Sequence, residues 1–245
     1  MNTGFLVLEV KRVGRARQFW IGALFFPTVL YLMQANLFRG DIADRVGVDF
    51  SEYLLGSLAA WAALFVALNI GSRVALERAT GWQRQLRITP LSPTSYLIAK
   101  LTASLVVALP AITAVAVTGG LLEGVRLPIV GWLQLILGIW VGSLPFALLG
   151  VFIGQIASAD SVQALTSISH MLLGVLGGAM FPVVAFPEWM QRVSAIIPSH
   201  WLAVIGRSPF EGDSSVGLSA LVLAGWTVVL GTAVTLRYLH DSAQD

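Results

Sequence analysis

Apolar residues along this chain fall into long blocks, and the charges sit almost wholly between them. An apolar run of about 18 or more residues with few charges reads as a membrane-crossing helix, because about 20 residues rising about 1.5 Å each traverse the hydrocarbon. Six blocks qualify. Residues 19–38 lie between Arg17 and Arg39, 53–72 between Glu52 and Arg73, and 101–122 between Lys100 and Glu123. The fourth block, 130–157, lies inside the charge-free run 127–159, and the fifth, 164–186, inside 161–187, where His170 is the ionisable residue. The sixth, 216–236, ends at Arg237. The runs holding blocks four and five exceed one bilayer thickness, so kinks are expected, with Pro145 and Pro182 placed to make them. The pattern predicts an all-α polytopic protein with six transmembrane helices in one domain over 1–245. The first block follows a basic start, as a signal peptide would, but it exceeds the usual apolar core of about 7–15 residues and no Ala-x-Ala site closes it, so it reads as a retained helix.

Three segments between or before the blocks carry pattern of their own. Residues 1–18 predict an amphipathic interface helix, with Leu6, Val10 and Val13 on one stripe and Lys11, Arg12, Arg15 and Arg17 supplying cations toward anionic lipid. Residues 73–100 are too long for a simple turn. Within them Trp82 and Leu86 share a helical face and Arg84 and Arg87 fall roughly opposite, before Thr89-Pro90 stops the helix. A short helix with an apolar anchor and exposed arginines suits docking of a soluble partner. Residues 187–215, outside the fifth block, contain a stretch too short to span, which reads as re-entrant. Pro182 and Pro187 break the fifth block just before that stretch, which itself contains Pro198, and Trp189 and Trp201 fit a headgroup-level belt, predicting two short tilted helices in the outer leaflet.

Composition excludes the soluble classes. Charged residues are 11% and hydrophobic residues 56%, with mean hydropathy +0.80. A soluble domain carries about 25% charge, and this chain cannot supply a polar surface. There are no cysteines, so thiol catalysis, disulfides and thiolate metal sites are out. The net charge of +2 is too small to argue for nucleic acid. Its distribution matters more, because Lys and Arg concentrate on the cytoplasmic side. With the N-terminus inside, Lys11, Arg12, Arg15, Arg17, Arg73, Arg78, Arg84, Arg87, Lys100 and Arg237 are cytoplasmic. Arg39, Arg45, Arg126, Arg192 and Arg207 are outside, where most acids also fall. Both termini are therefore expected in the cytoplasm.

Little catalytic chemistry is encoded. The lysines are Lys11 and Lys100, and neither follows a glycine, so no phosphate-binding loop exists to hold ATP. Gly217-Leu218-Ser219-Ala220 has the look of a rhomboid protease serine motif, but His240 lies about 31 Å along the same helix, beyond any base's reach. Intramembrane polar residues are functional suspects. Asn69, Gln134, Ser167 and His170 are the suspects for a translocation path, and Gly174-x-x-x-Gly178 offers a close helix contact for a dimer face. No Asp/Glu/Lys relay crosses the bilayer, which argues against an ion-coupled transporter. A stand-alone secondary transporter or channel is the alternative reading.

Taken together, the blocks, the N-terminal amphipathic helix, the inner loop and the Pro/Trp segment resemble an ABC-2 type permease, the membrane subunit of an ATP-binding-cassette exporter. Glu77, Arg78, Gly81, Leu86, Thr89, Pro90, Leu91 and Ser92 match the family's inner-loop motif, with Trp82 where Thr is more usual. Pro182, Pro187, Trp189, Pro198 and Trp201 match its external motif. The resemblance implies a homo- or heterodimer of permeases in the prokaryotic plasma membrane, driven by a separate ABC ATPase subunit that binds ATP and Mg. It implies that the inner loop, including Arg84 and Arg87, couples to that subunit. It implies no cofactor in this chain itself and an amphipathic or lipidic substrate such as a drug, peptide, lipid or glycan-lipid.

Overall fold

The computed structural model describes residues 3–15, 17–37, 48–81, 93–211 and 215–243. The first apolar block is broken by its own proline. Helix α1 (Thr3–Gly14) precedes α2 (Arg17–Trp20), a π-helical turn at Ile21–Phe25, and α3 (Phe26–Leu37). Pro27 follows the π turn and has no N–H to donate backwards, and the Thr28 hydroxyl donates to the Leu24 carbonyl at 2.6 Å, as threonines elsewhere in these helices do one turn back. The second block forms α4 (Phe50–Leu68) and α5 (Ile70–Ala79). Asp49 caps α4 by accepting from the Ser51 N–H at 2.8 Å. The break between α4 and α5 falls at Asn69, whose side-chain amide donates to the Phe65 carbonyl at 2.7 Å.

The third block is α6 (Pro93–Leu122), the fourth α7 (Ile129–Gly142) and α8 (Leu144–Ile156), and the fifth α9 (Val162–Leu176). A 3-10 turn at Val183–Ala185, then α10 (Glu188–Ile196) and α11 (Pro198–Glu211), lead to α12 (Val216–Ala243). No strand occurs among the described residues. Four helical stretches are long and apolar enough to cross a membrane, namely Phe50–Ala79, Ser95–Leu122, Ile129–Ile156 and Val216–Tyr238. Ile21–Leu37 and Val162–Leu176 are apolar but shorter.

Two prolines act differently from expectation. Pro182 does not kink a long fifth helix over 164–186, because that helix has already ended at Leu176. Gly178 follows with φ +73, a left-handed backbone that a residue with a side chain rarely adopts. Pro182 then opens the 3-10 turn, Pro187 caps α10 and Pro198 begins α11. In the fourth block the break falls at Ser143, whose hydroxyl donates to the Trp140 carbonyl at 2.7 Å, and Pro145 sits in the first turn of α8, where its missing N–H costs nothing.

The second block is the core of the molecule. Nearly every residue of α4 is buried, against α3, α6, α8, α9 and α11. Two glycine crossings let backbones touch. Gly56 on α4 lies against Gly206 on α11, and a Cβ on either would overlap the other's carbonyl. Gly71 on α5 lies in the same way against Gly150 and Gly154 on α8. Close packing of small residues is the main source of helix association where lipid removes the hydrophobic driving force. By contrast α12 turns Leu218, Leu221, Val228 and Val229 outward, as a lipid-facing helix does.

Candidate functional site

Three helices from separate parts of the chain meet at one end of the bundle around a single carboxylate. Glu77, in the last turns of α5, is buried at 2% exposure. Its Oε2 accepts from the Tyr96 hydroxyl at 2.7 Å, and its Oε1 accepts from Lys100 Nζ at 2.6 Å and from the Arg12 guanidinium at 3.2 Å. Lys100 is fully buried and pairs a second carboxylate, Glu9, at 2.8 Å. Tyr96 and Lys100 are one turn apart on α6, and the Lys100 ammonium stands 5.4 Å from the Tyr96 ring centre. Glu9 and Arg12 are one turn apart on α1. Two cations thus pair with two carboxylates, and a third cation, Arg73 on α5, stands close enough to feel Glu9, Arg12 and Glu77. An uncompensated buried ion costs several kcal/mol, roughly, so each member holds the others in place. Neither Glu9 oxygen makes a hydrogen bond among the described residues, so its contact with Lys100 is an ion pair alone.

The residue after Glu77 points elsewhere. Arg78 NH1 donates to the carbonyls of Gly154 (3.1 Å) and Gln155 at the C-terminal end of α8. Those carbonyls lack helical partners and carry the negative end of the helix dipole, so a guanidinium there is doubly favoured. Gly81 ends the segment with φ +72, donating its N–H to the Arg78 carbonyl at 3.2 Å, the left-handed glycine cap that closes many helices. The pair Glu77-Arg78 therefore clamps the end of α5 to α1, α6 and α8, and Gly81 releases the chain from it. The predicted helix with Trp82, Arg84, Leu86, Arg87, Thr89 and Pro90 lies outside the described residues.

The suspected path residues scatter. Asn69 serves the α4–α5 break. Gln134 on α7 donates to the Ser208 hydroxyl on α11 at 3.1 Å. Ser167 faces outward from α9. His170 stacks on Trp61 at 4.7 Å between ring centres and meets Phe65 edge-on at 4.9 Å. There His170 Nε2, Trp61 Nε1 and Thr166 Oγ1 are buried without hydrogen bonds among the described residues, a polar seam in an apolar bundle. Gly174 and Gly178 do not form one interface stripe. Gly174 abuts Trp61 of the same chain, and Gly178 makes the left-handed turn against Val183. Ser219 is buried and bonds back to the Ser215 carbonyl at 2.8 Å, which leaves the rhomboid-like motif an ordinary helical serine.

At the opposite end, Trp189 is exposed on α10, and Trp201 on α11 donates its indole N–H to the Ala195 carbonyl at 2.9 Å. The sequence treats Arg207 as one more external charge, yet only 5% of it is exposed. It donates to Ser57 Oγ and to Glu211, both at 3.1 Å, and its guanidinium stands 4.5 Å from the Tyr53 ring centre. Glu9, Tyr96, Lys100 and Arg207 are the charged or polar partners that motif reading leaves out. A weak signal existed for two of them, since Glu9 is the one acid in a basic helix and Lys100 one of two lysines.

Two comparisons bear on this arrangement. A relative from Bacillus subtilis (strain 168), named "Putative transport permease YvfS", is 28% identical over 209 residues, covering 83% of this chain and 85% of that protein. A family model described as "ABC-2 family transporter protein" matches residues 43–236, which include Glu77, Arg78, Lys100 and both glycine crossings. With that match over most of its length, the chain belongs to the ABC-2 family of transporter proteins, as an integral-membrane permease component.

Proposed function

We propose that this chain is the permease subunit of an ABC exporter, moving an amphipathic or lipidic substrate outward with ATP hydrolysed on a separate subunit. The carrying observation is the Glu77 cluster. It fixes the ends of α5 and α6, the two helices that bracket residues 82–92, so a force on that connection is delivered to the second and third apolar blocks and to α1. In this reading residues 73–100 are the coupling loop, with Trp82, Arg84, Leu86 and Arg87 received by the ATPase. The chain crosses the plasma membrane of a prokaryote six times, at the six apolar blocks, with both termini cytoplasmic. Residues 187–215 form an external re-entrant hairpin.

A second copy or paralogue completes the translocation path. The polar seam at Trp61, Thr166 and His170 supports a path beside the second and fifth blocks. That partner meets this chain along the first and fifth blocks, where Phe25, Val29, Ile168 and Met171 face outward.

Co-purification with the ATPase subunit tests the assignment. The complex in liposomes should hydrolyse ATP faster with substrate. Replacing Trp82→Ala with Arg84→Glu should abolish that stimulation and export together, while basal hydrolysis persists. Transport by the purified chain alone, without ATP, would overturn the reading in favour of a stand-alone transporter.

A further inference from the structure

The exposed face of α1 that borders the Glu77 cluster at Arg12 is built for a different kind of ligand. Val7, Leu8, Lys11, Arg12 and Arg15 line a cleft of about 530 Å³ along that face. Positions 7, 11 and 15 repeat every fourth residue, as do 8 and 12, so all five share one side of the helix. Val7 and Leu8 are half exposed, at 50% and 52%, and Lys11, Arg12 and Arg15 are exposed. The acid of this helix, Glu9, is buried on the other side against Lys100. The cleft therefore offers cations at one end and bare aliphatic side chains at the other, with no carboxylate lining it. A soluble anion has no use for the aliphatic end, and a neutral lipid has none for three cations. A phospholipid with a net negative headgroup uses both.

Arg12 gives the cleft a second property. It lines this cleft and also a neighbouring one of about 340 Å³ with Ser72, Arg73, Leu76 and Glu77. One guanidinium N–H reaches Glu77 Oε1 at 3.2 Å while half of the side chain stays exposed. A guanidinium has five donors in a fixed fork, so it can hold a carboxylate with one edge and a phosphodiester with the other.

We propose that this face of α1 is a binding site for one anionic phospholipid of the surrounding leaflet, held by Lys11, Arg12 and Arg15 with its acyl chain along Val7 and Leu8. Arg12 is shared between the lipid phosphate and Glu77. The headgroup thereby becomes a removable member of the ion cluster at the root of residues 82–92. Naming the leaflet as cytoplasmic rests on the orientation proposed above; the lipid preference itself does not.

The test needs no ATPase. The full chain, in detergent with equimolar phosphatidylglycerol and phosphatidylcholine of identical acyl chains, is analysed by native mass spectrometry for retained lipid. Each surface cation near a membrane is worth about fivefold in preference for anionic lipid. Wild type should retain phosphatidylglycerol at least about tenfold over phosphatidylcholine, and Lys11→Gln with Arg15→Gln should erase most of that bias. Both positions are exposed, so the variant keeps its fold. Leu8→Gln should weaken both lipids alike, and excess glycerol 3-phosphate should displace neither. Equal retention by wild type, or a bias that survives the double substitution, overturns the proposal. So does displacement by glycerol 3-phosphate, which marks a soluble-anion site. If the double variant keeps its lipid bias and instead loses a co-purifying ATPase, the face is a protein interface and the lipid site is refuted.

Discussion

The two ends of the bundle each bury charge, but on different terms. Around Glu77, the lysine and both carboxylates are at most 3% exposed, and only Arg12 reaches solvent. Around Arg207 the one fully enclosed charge is the guanidinium, and its counter-ion Glu211 is 32% exposed. The first cluster ties α5 to α1 and α6, two helices that also pack along each other. The second sits on a joint already made by backbone contact, since Gly56 and Gly206, the residues next to Ser57 and Arg207 in the chain, bring α4 and α11 together. At the Glu77 end, charge is what joins α5 to α1 and α6. At the Arg207 end, charge decorates a joint that packing has made. Removing one partner should therefore hurt far more at the first.

Lys100→Met is expected to give the largest effect, about 3–5 kcal/mol of destabilisation, because it leaves Glu9 buried without its ion-pair partner and Glu77 with only Arg12 and Tyr96. Thermal unfolding of the purified chain measures it. Adding Glu9→Gln to that variant should recover part of the loss, since the carboxylate left without a counter-ion is then gone; a double variant no better than the single would show that the cluster does not act as a unit. Next comes Gly206→Val, expected to cost about 2–3 kcal/mol, because its side chain meets backbone that cannot rotate away. Gly225→Ala, where nothing lies within 4 Å, is the matched control and should be neutral or slightly stabilising.

Hydropathy made the apolar blocks legible because lipid leaves a helix few alternatives. It could not show where the helices end. Helix α5 continues through Arg73, Glu77 and Arg78, and α6 begins at Pro93, because the charges in those turns neutralise one another and one helix end. That partnership joins residues 23 and 65 positions apart, which no local window sees. Glu77 and Arg78 were reachable through a motif, whereas Lys100, Tyr96 and Glu9 were not. Arg207 reads as an external charge because its burial depends on Tyr53 and Ser57 on a distant helix. The spacing of Gly174 and Gly178 suggests an interface, yet it arises from two unrelated needs, contact with Trp61 and a left-handed turn.

Arg207→Met should cost less than either variant above, about 1–2 kcal/mol. It loses a stacked cation on Tyr53 and a hydrogen bond to Ser57, but Glu211 is open enough to be hydrated once alone. The aliphatic stem of methionine also retains much of the packing. A loss equal to that of Lys100→Met, read in the same thermal assay, would erase the distinction between the two ends.

The smallest structural effect is expected where the functional one is proposed. Arg12 sits at the solvent edge of the Glu77 cluster, half exposed and at the longest of its ion-pair distances. Pairs of that kind contribute at most about 1 kcal/mol, so Arg12→Gln should leave the unfolding midpoint almost where it was. Lys100 still forms an ion pair with both carboxylates, so no buried charge is left without a counter-ion. If the cluster only glued helices together, nothing more would follow. If it transmits movement of residues 82–92 to α1, the variant weakens the one link between α1 and Glu77 that does not pass through Lys100. About 1 kcal/mol of lost coupling corresponds to about a fivefold fall in substrate-stimulated hydrolysis by the assembled complex. Arg12→Lys should restore part of it, because a point charge can still pair with Glu77 though it lacks the second edge. Unchanged stimulation in Arg12→Gln, at unchanged stability, would reduce the cluster to a structural clamp.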